Sequence, residues 1–155
     1  MHARDLVEAF PVVRLDDDAL AAIRMMAELG LPGLVVVDDH GGPLVVLPAS
    51  QVLRFALPEY LEEDPTLARV YGEREADAFC QDIGGHQVRE LMPGKQYLPK
   101  RERDRPLVRA DATVIEVASV MTRQHSPVVA VVDDRNTILG VITVHRLLGA
   151  TLPAS

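Results

Sequence analysis

The chain has 155 residues, 48% hydrophobic and only 4% aromatic with no Trp, and a formal net charge of -7 at pH 7. This suits one well-cored domain, or two small units sharing an aliphatic core, and excludes a disordered chain. The acidic balance argues against nucleic acid and anionic membrane as partners, both of which demand clustered cations.

A single cysteine, Cys80, leaves no internal disulfide and fits a reducing compartment. The opening residues MHARDLVEAFPVV lack the apolar core and small-residue cleavage site of a signal peptide. No run approaches the roughly 18 apolar residues of a membrane span. The expectation is a soluble, cytoplasmic protein with no direct membrane insertion.

In chain order, a short helix over Ala3–Val7 precedes a strand, Val12–Arg14. Asp16-Asp17-Asp18 then opens a helix, where carboxylates accept from free N–H groups and suit the positive end of the dipole. Leu20, Ile23, Met26 and Ala27 give that helix an apolar face, and Gly30 ends it. Leu34–Val37 is a short continuous apolar run, the pattern of a strand buried on both faces. Asp38-Asp39-His40-Gly41-Gly42 is a turn, followed by a strand over Leu44–Leu47 and a helix over Ala49–Leu57.

An acidic connector follows, with a helix expected from Asp64-Pro65 to about Gln81 and ended by Gly84-Gly85. The series of elements then repeats. Val88–Met92 answers Ala3–Val7, Leu107–Arg109 is a strand, and Asp111-Ala112-Thr113 opens a helix with Val114, Val117, Ala118 and Met121 inward. That helix ends near His125; Val128–Val132 and Ile138–Ile142 are strands around the turn Asp133–Thr137, and Val144–Leu148 closes the copy. A shift of 95 aligns 11–53 with 106–148 without a gap, with 13 identities in 43 positions, where unrelated segments give roughly three. The short leading helices align instead at a shift of 85, so the second copy carries ten extra residues before Pro106.

Val88–Met92, Asp111-Ala112-Thr113, Ser126–Asp134 and Leu139-Gly140-Val141-Ile142-Thr143 stand in an order and at a spacing that resemble a pair of cystathionine-beta-synthase (CBS) domains, a Bateman module. The first copy shares Leu31-Pro32 through Val37-Asp38-Asp39. The resemblance implies an α/β (α+β) fold of two tandem βαββα repeats related by a pseudo-twofold axis, with an inserted helical connector. It divides the chain into a first repeat over 1–57, the connector over 58–86, a second repeat over 87–150 and a tail over 151–155.

The resemblance also implies a homodimer, with clefts that hold AMP, ADP, ATP or S-adenosylmethionine as regulatory ligands and no required cofactor. In the second repeat it places the ligand-binding residues at Val108, Arg109, Pro127, Val128, Thr143 and Arg146. Nucleotide-binding members often carry Gly-x-x-Thr-x-x-Asp, where the Thr meets a phosphate at a helix N-terminus and the Asp accepts from ribose. Here the second repeat has Gly140 and Thr143 but Arg146 in place of the Asp, and the first has Val45, Pro48 and Gln51. Pro48 offers neither hydroxyl nor N–H, whereas Arg146 can grip a phosphate or simply be a solvated helix residue. Lys100, Arg101, Arg103 and Arg105 either add positive potential or form a solvated loop.

The five His make no local metal-ligand spacing, the Asp clusters read as caps and turns, and Cys80 lacks a flanking His. Nucleophile, base and oxyanion donor do not assemble, so no enzyme is expected. Two functions stand: a ligand-sensing regulatory module acting on a separate protein such as a transporter or enzyme, and a degenerate scaffold that binds a protein partner alone.

Overall fold

The protein is described from a computed structural model, which defines residues 1–56, 64, 66, 69, 72, 84–92 and 105–153. Most of the expected connector helix, with Cys80, lies outside the described residues, as do Lys100, Arg101 and Arg103. The described elements are α1 (Ala3–Leu6), β1 (Val12–Arg14), α2 (Ala19–Leu29), β2 (Gly33–Val37), β3 (Pro43–Pro48) and α3 (Ala49–Ala56). After a 3-10 turn (Val88–Leu91) come β4 (Leu107–Arg109), α4 (Val114–Gln124), β5 (Val128–Val132), β6 (Ile138–Thr143) and α5 (Val144–Thr151).

Two three-stranded sheets result, ordered β1-β2-β3 and β4-β5-β6. In each, the first pair is parallel and the second antiparallel. The duplication extends to detail. The register slips between Val36 and Val37 in one sheet and between Val131 and Val132 in the other. Val36 and Val131 occupy equivalent central-strand positions and are both fully buried.

The continuous apolar runs are buried on both faces, as their composition demands. Leu34 and Val36 face the helical layer of their own repeat, beside Val13 and Leu47, while Val35 turns to the other repeat. In β5, Val129 and Val131 face the helices and Val128 faces across. The seam between repeats is thus a small aliphatic cluster of Val35, Val46, Val128 and Val141, flanked by Phe10 and Ile138. With so few aromatic side chains, β-branched residues carry the contact.

The helix starts differ between copies. Asp18 caps α2 by accepting from the Ala21 amide at 2.9 Å, while Asp17 accepts from the Arg14 amide at 2.8 Å. In α4, Thr113 and Glu116 form a reciprocal capping box. Both helices stop at a left-handed residue, Gly30 (φ 63°) and His125 (φ 49°). The buried stripe of α2 is Ala19, Ala22 and Met26; Leu20 and Ile23 are half-buried and Ala27 is exposed. The buried face is therefore rotated from the expected one toward Ala19 and Ala22.

The leading helices exchange partners. Ala3 and Leu6 of α1 belong to the core of the second repeat, among Val108, Val117 and Val131. Val88 and Leu91 belong to the core of the first, among Val13, Ala22 and Val36. Backbone bonds fix both exchanges: the Ala3 amide donates to Ala112 and that of Arg4 to Ala110, while the amides of Val88 and Arg89 donate to Asp17 and Leu15. Each repeat is closed by a segment that precedes its sister.

Equivalent carboxylates cap the exchanged segments. Asp5 accepts from the His2 amide at 2.8 Å, and Glu90 accepts from the Gln87 amide at 2.6 Å and contacts His86 Nδ1 at 3.1 Å. Both carboxyls titrate below their ordinary values, Asp5 chiefly through the His2 amide and Glu90 through the Gln87 amide and then His86.

Leu6→Ala is expected to cost about 2–4 kcal/mol of unfolding free energy by denaturant titration. Its methyl chemical-shift changes should fall on Val117 and Val131 rather than Val36. A lowered folded-state pKa means that the caps contribute fully above the ordinary carboxylate range and lose that contribution as pH falls through the lowered values. Protection of the His2 and Gln87 amides, taken relative to the intrinsic exchange rate at each pH, should therefore fall on acidification, and Glu90→Gln should flatten that dependence at Gln87.

Candidate functional site

Between α1 and β1, the segment through Glu8 runs alongside β6 of the second repeat. The Glu8 amide donates to the Val141 carbonyl at 2.8 Å, and the Val141 amide donates back at 2.9 Å. Gly140 makes this possible. A Cβ there would lie 2.5 Å from the Glu8 carbonyl oxygen and 2.6 Å from Val7 Cγ2. The first repeat has Val45 at the equivalent position.

From this bridge the chain continues into β1, and a cleft of about 540 Å³ opens between the repeats. Phe10, Val12, Val37, Ile138 and Leu139 provide apolar lining, and Arg14, Asp17 and Thr137 are its polar side chains. That volume falls in the range of small-molecule sites, and so does an apolar wall with few polar groups. Arg14 Nη1 stands 3.9 Å from Asp39 Oδ1. At the bridge end, Arg146 Nε stands 3.8 Å from Glu8 Oε1, with both side chains about half exposed (46% and 48%).

The six residues assigned to the second-repeat site do not line this cleft, and they fall into two groups. Thr143 faces Val128 in the strand register, the Pro127 carbonyl accepts from the Val144 amide at 3.0 Å, and Arg146 lies in the first turn of α5. Thr143 caps α5, its Oγ1 accepting from the Arg146 amide at 3.2 Å. Val108 and Arg109 pair instead with Val131 and Val132, three and four residues along β5 from Val128, or about 10–13 Å. Val108 is core, and Arg109 Nη1 donates to the Asp133 carbonyl at 2.7 Å, bracing the turn.

Glu8, Ala9 and Phe10 carry no local pattern that marks them as part of the site. Nothing in a single chain marks a strand that leaves its own repeat, although Gly140 is the small residue where another backbone approaches. The carboxylates of both turns are spent locally: Asp38 Oδ1 accepts from the amides of His40 and Gly42, and Asp133 Oδ1 from those of Arg135 and Thr137. On the pseudo-equivalent side, Arg105 takes the place of Phe10, and its Nη1 stands 3.9 Å from Asp38 Oδ2.

This geometry defines a class, a pair of βαββα repeats joined face to face with a ligand-sized cleft between them. The CBS domain family matches residues 102–152. Among solved structures, a CBS domain-containing protein of Kribbella flavida is 45% identical, with 99% of each chain covered and a TM-score of 0.79. The chain belongs to the CBS domain family. The CBS domain of a membrane protein from Sphaerobacter thermophilus shares the fold at 23% identity, covering 98% of this chain and 88% of that one with a TM-score of 0.67. So does CBSX2, known from Arabidopsis thaliana, in complex with AMP, at 19% identity, 96% and 94% coverage and a TM-score of 0.62. No curated protein matches the chain.

Replacing Gly140 by Ala is expected to push Glu8 away from Val141. Overpacking of this kind costs about 1–3 kcal/mol, and hydrogen exchange at the amides of Glu8 and Val141 should accelerate while that of Val36 is unchanged.

Proposed function

We propose that the chain is a regulatory module that binds an adenine nucleotide or a related adenosyl ligand in the cleft beside β6 of the second repeat and controls a separate protein, such as a transporter or an enzyme. The observation that carries this reading is that the cleft draws its walls from both repeats, Ala9 to Arg14 on one side and Thr137 to Gly140 on the other. A ligand there touches both units at once. Its differential affinity for two relative positions of the repeats is the free energy available for signalling. The fold shared with an AMP-bound CBS pair supports the choice of ligand class.

The module acts by binding rather than by catalysis, in the cytoplasm, and without nucleic acid. The active species is a homodimer. Leu53 of α3 and Leu148 of α5 occupy equivalent positions and are exposed (65% and 49%), so each repeat presents the same apolar feature to a second copy. A second reading, a scaffold that binds protein alone, is favoured by Pro48 and Gln51 in the first repeat, which remove a hydroxyl and a backbone donor from its cleft.

A thermal-shift screen with AMP, ADP, ATP and S-adenosylmethionine separates the two readings. A true ligand at about a hundred times its dissociation constant adds about 2.7 kcal/mol of stability. Its chemical-shift changes should map to Phe10, Arg14 and Ile138. Stability unmoved by all four leaves the scaffold. Among the described residues no helix is long and apolar enough to cross a membrane.

A further inference from the structure

We infer that Arg105 is an internal plug that closes the symmetry mate of the cleft beside β6, so that each chain offers one open cleft rather than two. This rests on the reading of the open cleft as a binding site and holds whatever ligand that cleft takes.

The shift of 95 maps the lining of the open cleft onto the other side of the pseudo-dyad: Phe10 becomes Arg105, Arg14 becomes Arg109, Thr137 becomes Gly42 and Leu139 becomes Leu44. Leu139 and Leu44 carry the comparison. Their side chains are the same, and each is the residue passed over at the register slip of its sheet. Yet Leu139 is 52% exposed and Leu44 only 9%. The two arginines differ in the same direction. Arg14 is half exposed, whereas Arg109 is part-buried and its Nη1 is engaged by the Asp133 carbonyl. Thr137 is exposed and Gly42 buried. Identical side chains at equivalent backbone positions differ in exposure only through what covers them.

Arg105 is the residue that breaks the symmetry there. Its carbonyl accepts from the Leu107 amide and from Gln124 Nε2, each at 2.9 Å, so its backbone is fixed to the second repeat. Its Nη1 stands 3.9 Å from Asp38 Oδ2 of the first repeat, with both side chains about three-quarters buried. Asp38 is itself held by the amides of His40 and Gly42. The guanidinium therefore crosses between the repeats at the position Phe10 holds in the open cleft. Phe10 has no charge to bring an opposite turn to it. Gly42 tightens the junction, since a Cβ there would lie 3.0 Å from Asn136 Nδ2 and 3.2 Å from Asp38 Oδ2. Among the described residues, Arg105 Nε and Asn136 Oδ1 are buried without a hydrogen-bond partner. Such burial costs free energy, so this closure is a held contact that one substitution can release.

The test is thiol labelling of the full chain without ligand, with Leu44→Cys or Leu139→Cys placed singly on a Cys80→Ser background. Leu139→Cys should react with a maleimide about tenfold or more faster than Leu44→Cys. Adding Arg105→Ala should raise the Leu44→Cys rate by about tenfold and leave the Leu139→Cys rate unchanged. Arg105→Gln, which keeps much of the stem and loses the charge, should raise it by a smaller factor. Unaltered hydrogen exchange at Val36 and Val131 separates opening of the cleft from unfolding. Equal labelling of the two cysteines with Arg105 in place, or a Leu44→Cys rate unmoved by both substitutions, overturns the plug. Because no ligand enters the measurement, that outcome leaves the binding reading standing, and the thermal-shift screen tests it separately.

Discussion

The pairing of the segment around Glu8 with β6 is the contact on which the arrangement turns. Strands of three to six residues in two small sheets would make marginal domains separately. A backbone that begins in one repeat, seals the edge of the other at Val141 and then enters its own sheet as β1 makes the two inseparable. Gly140 is its steric condition, because a Cβ would occupy the space of the Glu8 carbonyl. The exchange of α1 and Val88–Leu91 completes the lock by placing each leading segment in the opposite core.

The duplicated frame is close to symmetric, and its departures from symmetry are where chemistry enters. Phe10 is answered by Arg105, Gly140 by Val45, and Thr143 by Pro48. On one side Phe10 sits in the aliphatic seam and lines an open cleft. On the other, Arg105 faces Asp38, and among the described residues both Arg105 Nε and Asn136 Oδ1 are buried without a hydrogen-bond partner. A Cβ at Gly42 would lie 3.0 Å from Asn136 Nδ2, so the turns of the two repeats touch there. Divergence after duplication has left one side shaped for apolar contact and the other for polar contact between turns.

The seam of Val35, Val46, Val128 and Val141 is the apolar contact across which the two repeats meet, and each of its members is buried.

Local pattern alone carried the repeat, the strand and helix order, the buried central strands and the turns. A run such as Val128–Val132 has one physical solution, and Asp38 and Asp133 bond their own chains whatever surrounds them. Thr143, Pro127 and Val128 enter through the family resemblance, and a strand pair and a helix cap make them neighbours. What only the tertiary structure decided is which core receives Ala3 and Leu6, where Glu8 lies, and that Val108 and Arg109 stand about 10–13 Å along the strand from Val128. Hydrophobic periodicity says that a face is buried without saying against what. Two cores built on the same backbone plan look alike to a segment of four residues, and the choice falls to long-range backbone pairing and the space left by one glycine.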